Sequence, residues 1–204
     1  TDLISAVSHI VLGPGLGTDN WSRAAFDIAC RSGKPLLIDA DGLNLLSQLM
    51  QHDIEPDKAD FLADIPLIIT PHPGEAGRLL AAGKPQSTGV QANRYDSIEQ
   101  LHKLLAEIRG NSDRCIVLKG YGTLIYDGNI PTCCASGNAA MASAGMGDVL
   151  SGIIAGLWAQ GLETRLAAEL GVCLHAATAD YISKGRTRGI VASDIISNIK
   201  ELLP

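Results

Sequence analysis

The chain has 204 residues, 46% of them hydrophobic, and a formal net charge of −6. This suits a single domain over residues 1–204 and excludes nucleic acid as a main partner, because phosphate backbones require basic surface. The longest apolar run, Val149 to Ala159, is shorter than the roughly 20 residues of a membrane span, and five cysteines without metal-ligand spacing read as reduced thiols of a cytoplasmic protein.

Four apolar, β-branched runs each end in similar punctuation. In chain order, "HIVL" meets "GPGLG", "PLLI" meets "DADGLN", "PLIIT" meets "PHPGE" and "CIVL" meets "KGYGT". The first three lead into helical patterns near Asn20 to Arg31, Leu43 to Gln51 and Glu75 to Ala82. Strand then helix, repeated, predicts a mostly parallel sheet covered on both faces. After "KGYGT" a second strand and a turn at Asp127-Gly128 predict a short antiparallel edge. A helix over Val90 to Arg109 carries the stripe Ile98, Leu101, Leu104, Leu105 and Ile108. Helices at Met146 to Gln160, Glu163 to Lys184 and Ser193 to Leu203 complete the set.

Ligands of open parallel sheets sit at the carboxyl ends of the strands, so the punctuation motifs should converge on one cleft. "GPGLG" (Gly13 to Gly17) gives backbone N–H groups close access to a ligand, or is only a tight turn before a helix capped by Thr18 or Asp19. Asp39 stands at a strand tip, where it either holds a metal-bound water or a substrate hydroxyl or serves the structure alone, with Asp41, a candidate cap of the following helix, and Asn44 just beyond. Pro71 and Pro73 stiffen the mount of His72, and the helix dipole accounts for Glu75. Lys119 ends a buried strand and needs an anion to reach; Gly120, Tyr121, Gly122 and Thr123 follow it.

The stretch from Gly128 to Leu162 holds a single charged residue, Asp148. It lies in "SAGMGD" at a helix start, where unpaired N–H groups bind phosphate. Gly145 and Gly147 would let those groups close on a phosphoryl group, and Asp148 would accept the proton of an attacking hydroxyl. Alternatively Asp148 only caps a buried helix. The absence of neighbouring charge favours a dry catalytic site.

Together, "GPGLG", "DADGLN", "TPHPGE", "VLKGYGT", "GNAAMASAGMGDVLSGIIAG" and the late "TRG" resemble the nucleotide-dependent NAD(P)H-hydrate dehydratases, a repair family of the ribokinase-like fold. The resemblance implies that ADP or ATP, with Mg²⁺, phosphorylates the hydroxyl of hydrated NADH or NADPH, and that phosphate then leaves as the double bond returns. It assigns Lys119 to Thr123 and Gly147 to the adenine nucleotide. Gly15 or Gly17, His72 and Asp148 fall to the hydrated dinucleotide, with Asp148 as base; Asp39 and Asn44 are grouped with that side and Gly145 with the nucleotide. The family's usual glycine-rich strand and helix before "GPGLG" are expected to be missing, and a homo-oligomer is expected, a tetramer among the candidate states. A small-molecule kinase of the same fold and a non-catalytic nucleotide-binding module are the alternatives.

Overall fold

Six strands form one sheet in chain order: β1 (Ile10–Leu12), β2 (Leu36–Ile38), β3 (Leu67–Ile69), β4 (Arg114–Leu118), β5 (Leu124–Tyr126) and β6 (Thr132–Cys133). β1 to β4 are parallel, while β5 and β6 add antiparallel at the edge. The computed structural model describes residues 2–51, 62, 64–81, 90, 93–107 and 113–203.

β2 and β3 are apolar at every position, and β4 is so after Arg114, because both faces are covered. Leu36, Ile38, Leu67, Ile69, Ile116 and Leu118 face one core. Leu37, Ile68, Cys115 and Val117 face the other. A strand order that never reverses, joined by right-handed crossovers, puts every connecting helix on one face. That layer holds α2 (Asn20–Cys30), α3 (Ala40–Gln51), α4 (Pro73–Ala81) and α5 (Arg94–Ala106), following a short α1 (Asp2–Ser5); Phe26, Leu46, Leu79, Ile98 and Leu101 are its anchors. Of the stripe read for α5, Ile108 lies outside the described residues, as does Ala82 after α4.

The opposite face is covered by two C-terminal helices, α6 (Met146–Ala159) and α7 (Thr164–Ser183), through Leu150, Ile154, Trp158 and Val172. The last predicted helix divides into α8 (Ala192–Asn198) and a 3₁₀ turn over Ile199–Leu202, a common tightening at a helix end. Arg165 of α7 ties down the edge hairpin through Asp127, Thr132 and the Ile130 carbonyl. No described helix is long and apolar enough to cross a membrane, and none of the cysteines is bridged.

Candidate functional site

The tips of β1 to β4 open at one edge of the sheet, and side chains stitch them together. Gly13 (φ +130°) begins the loop after β1, and a Cβ there would lie 1.7 Å from the Asp39 carbonyl oxygen. Only glycine lets that loop cross the β2–α3 turn. Asp19, not Thr18, caps α2 by accepting the Ser22 N–H at 2.9 Å. Gly17 N–H donates to Asp41 at 2.9 Å, so Asp41 fastens the first loop to α3. Asn44 donates to Asp41 at 3.4 Å and accepts from Arg78 Nε at 2.9 Å. Gly15 stays on the exposed crest of the loop.

Asp39 is the most enclosed of the predicted site residues, with 1% of its surface exposed. One oxygen accepts from Lys119 Nζ at 2.6 Å and the other from the Ser151 hydroxyl of α6 at 2.7 Å. The anion that Lys119 requires is therefore the protein's own. Next to it, Ala40 adopts φ +46°, a left-handed conformation that costs a non-glycine residue about 1–2 kcal/mol and turns the chain sharply from β2 into α3.

Glu75 does more than balance a dipole. It accepts the His72 N–H at 2.7 Å and lies 3.8 Å from Lys119 Nζ. His72 caps α4 in return, its Nδ1 accepting from the N–H groups of Gly74 (2.9 Å) and Glu75 (3.3 Å). Nδ1 thus uses its lone pair and Nε2 carries the proton, on a half-exposed ring.

The start of α6 meets this network. A Cβ on Gly147 would come within 3.4 Å of Lys119 Nζ and 3.8 Å of Asp39 Oδ2. Gly145 (φ +81°) is the N-cap, without a side-chain cap bond. Asp148 follows in the first turn, exposed, and no described residue bonds its carboxylate. The capping alternative for Asp148 therefore fails. The dry surroundings read from the uncharged stretch fail too: those residues lack charge because Leu150, Ile154, Ala155 and Trp158 are packed in the core, while Asp148 itself meets solvent.

Beside the α6 start lies a cavity of about 530 Å³. Lys119 to Thr123 and Gly147 line it, with Asn138, Met141, Met146, Leu150 and His175. The residues that the resemblance assigns to the nucleotide thus line one cavity, except Gly145, whose nearest neighbour for an added Cβ is Ala192. Gly15, Gly17, Asp39, Asn44 and His72 lie outside this cavity, at the strand tips. The described residues hold no cluster of three metal-ligating side chains. No carboxylate of the described residues lines the cavity, so a Mg²⁺ ion there would be held by the phosphate oxygens of a ligand and not by the protein.

Three further residues escaped the sequence reading: Ser151, Arg94 and His175. Ser151 and Arg94 make their contacts with distant segments. His175 carried a usable signal, a polar residue on the buried stripe of α7. Its Nε2 is buried without a partner among the described residues, and burial pushes the imidazole down to about 4. The unfolded chain takes up this proton near 6.5 while the folded chain resists until about 4. Stability should therefore fall as pH drops through that window, by about 3 kcal/mol from this group. Urea unfolding of wild type and His175→Gln at pH 7.5 and 4.5 checks this: the variant should lose less stability on acidification.

A family model described as NAD(P)H-hydrate dehydratase matches residues 1–201. The bifunctional NAD(P)H-hydrate repair enzyme Nnr of Coxiella burnetii is 37% identical over 203 residues, covering 98% of this chain and 37% of that protein. The ADP-dependent (S)-NAD(P)H-hydrate dehydratase of Neisseria meningitidis is 37% identical over 194 residues, covering 91% of this chain and 59% of its own length. The chain thus spans little more than a third of the first relative and under two thirds of the second. The fold is shared with the ADP/ATP-dependent NAD(P)H-hydrate dehydratase of Bacillus subtilis, crystallised with ATP and Mg²⁺, at a TM-score of 0.73 and 22% identity, over 98% of this chain and 67% of that one. Matched along nearly its whole length, the chain belongs to the NAD(P)H-hydrate dehydratase family.

Proposed function

We propose that the protein repairs hydrated NADH and NADPH by nucleotide-dependent dehydration. The adenine nucleotide occupies the cavity, with its terminal phosphate at the α6 amides beside Lys119. The hydrated dinucleotide lies across the strand tips, against Gly15, Gly17 and His72. The added hydroxyl attacks the terminal phosphorus and gives its proton to Asp148, as the bond from that phosphorus to the nucleotide breaks. The carbon–oxygen bond then breaks and phosphate leaves with the bonding pair, while the neighbouring ring carbon gives up a proton to the departing phosphate or to water and its C–H electrons become the ring double bond. Phosphate is a far better leaving group than hydroxide, so coupling the two steps lowers the barrier.

The observation that carries this reading is the unengaged Asp148 carboxylate at a helix N-terminus next to Gly147, where the cavity meets the strand tips. Helix amides favour anionic phosphate at that point. The ADP dependence named for the Neisseria relative and the ATP/Mg²⁺ of the Bacillus crystal support an adenine nucleotide as cosubstrate. Mg²⁺ on the phosphates would neutralise charge during transfer.

The test supplies hydrated NADH with ADP, ATP or neither, plus Mg²⁺, and follows near-ultraviolet absorbance. Recovery with one nucleotide and none without it is expected. An accumulating phosphorylated product would identify a kinase, and nucleotide binding without turnover a non-catalytic module.

A further inference from the structure

The turn after β4 is gripped from outside by a residue with no role in the scheme above. Arg94, the first residue of α5, reaches under the turn with its guanidinium. Nη1 donates to the carbonyls of Tyr121 (2.5 Å) and Gly122 (2.9 Å), and Nη2 donates to that of Leu118 (2.9 Å). The grip needs Gly120: a Cβ there would lie 3.2 Å from Nη2 and 3.3 Å from Cζ. The Tyr121 side chain is 98% exposed, so the turn addresses the cavity through its backbone.

Across a trans peptide, C=O and N–H point in opposite directions. Drawing the Tyr121 and Gly122 carbonyls onto Arg94 therefore turns the N–H groups of Gly122 and Thr123 away from it. Both residues line the cavity, and neither N–H has a partner among the described residues. Gly122 at φ +66° supplies the left-handed step that makes successive amides concave, an arrangement that binds anions.

We infer that Arg94 is a positioning residue for the nucleotide: by holding three carbonyls of the turn, it presents the Gly122 and Thr123 amides to phosphate oxygens of a nucleoside diphosphate or triphosphate. This rests on the nucleotide reading of the cavity. Arg94 touches neither substrate nor reacting atoms. A planar fork is required, because an ammonium is a point donor that cannot span the same carbonyls.

The test is Arg94→Lys, which retains the charge and removes the fork. ADP and ATP dissociation constants, measured by titration calorimetry, should rise about ten- to a hundredfold, the scale of one charge-assisted hydrogen bond lost. The KM for the hydrated dinucleotide, and kcat at saturating nucleotide, should stay within about twofold, since the turn positions only the nucleotide. Nucleotide affinity within twofold of wild type overturns the inference, as does a parallel rise in dinucleotide KM. Should Arg94→Lys fail to fold, amide spectra of the wild type decide: ADP should shift the Gly122 and Thr123 resonances strongly, and unmoved resonances overturn the inference. Weakened ADP binding in Arg94→Lys without wild-type turnover supports the inference and sinks the dehydratase reading. Turnover with unchanged ADP affinity does the reverse, and a wild type that binds neither nucleotide overturns both.

Discussion

Asp148→Asn is expected to cut turnover of hydrated NADH by about 10²–10⁴-fold, the usual contribution of a positioned general base, while ADP and ATP bind almost as before. The amide keeps the size and shape of the carboxylate and loses its capacity to take a proton. Asp148 lies outside the lining of the cavity, and no described residue depends on it for a hydrogen bond. The fold should therefore not notice: the dipole interaction of an exposed first-turn carboxylate is worth about 0.3–1 kcal/mol. The measurement pairs kcat at saturating nucleotide with calorimetric nucleotide affinity. Normal turnover with weakened nucleotide binding would make Asp148 a ligand contact and remove the base from the mechanism.

Breaking the Asp39–Lys119 pair should produce the largest loss of stability. Asp39 is buried, and its two oxygens are engaged by Lys119 at 2.6 Å and Ser151 at 2.7 Å. Removing one member of a buried pair costs about 3–5 kcal/mol, because the remaining charge is left uncompensated. Lys119 retains 18% side-chain exposure and a second carboxylate, Glu75, at 3.8 Å. Asp39→Ala should thus fall at the low end, about 3 kcal/mol. Lys119→Met leaves Asp39 charged with only the Ser151 hydroxyl as an engaged partner, and should cost more. The double variant should cost less than the sum of the two, since it contains no unpaired charge. Urea unfolding of all four proteins checks the cycle, and strictly additive losses would show that the pair contributes no coupling. Both single variants should also weaken nucleotide binding, because Lys119 borders the cavity and Asp39 aims it.

The two variants probe opposite kinds of acid. Asp148 is unbonded and exposed, so its removal should be felt in the rate. Asp39 is fully engaged and enclosed, so its removal should be felt in stability first. Their surroundings make the distinction, which residue type alone does not.

By itself the sequence determined the parallel sheet, its antiparallel edge and the delivery of the β1 to β4 loops to one edge, because these depend on neighbouring residues. The single cleft expected there divides, with Lys119 to Thr123 and Gly147 lining the cavity and Gly15, Gly17, Asp39, Asn44 and His72 outside it. Runs such as "LLI" and "LII" are apolar throughout only where both faces are covered, and strands running one way must deliver their loops to one edge. Glycine and proline record backbone requirements at the place where they act, which is why "GPGLG" and "TPHPGE" were legible. The tertiary structure decided what each side chain does there. Asp39 meets Lys119 across 80 residues and Ser151 across 112, and Arg94 reaches its carbonyls 24 to 28 residues away. Such pairings follow from strand register and the packing of α6 against the sheet, where a slip of one residue would turn each side chain to the other face. For the same reason the uncharged stretch around Asp148 misled. Composition shows that charge is absent, while only packing shows that the helix needed its apolar residues for the core and left its first turn to water.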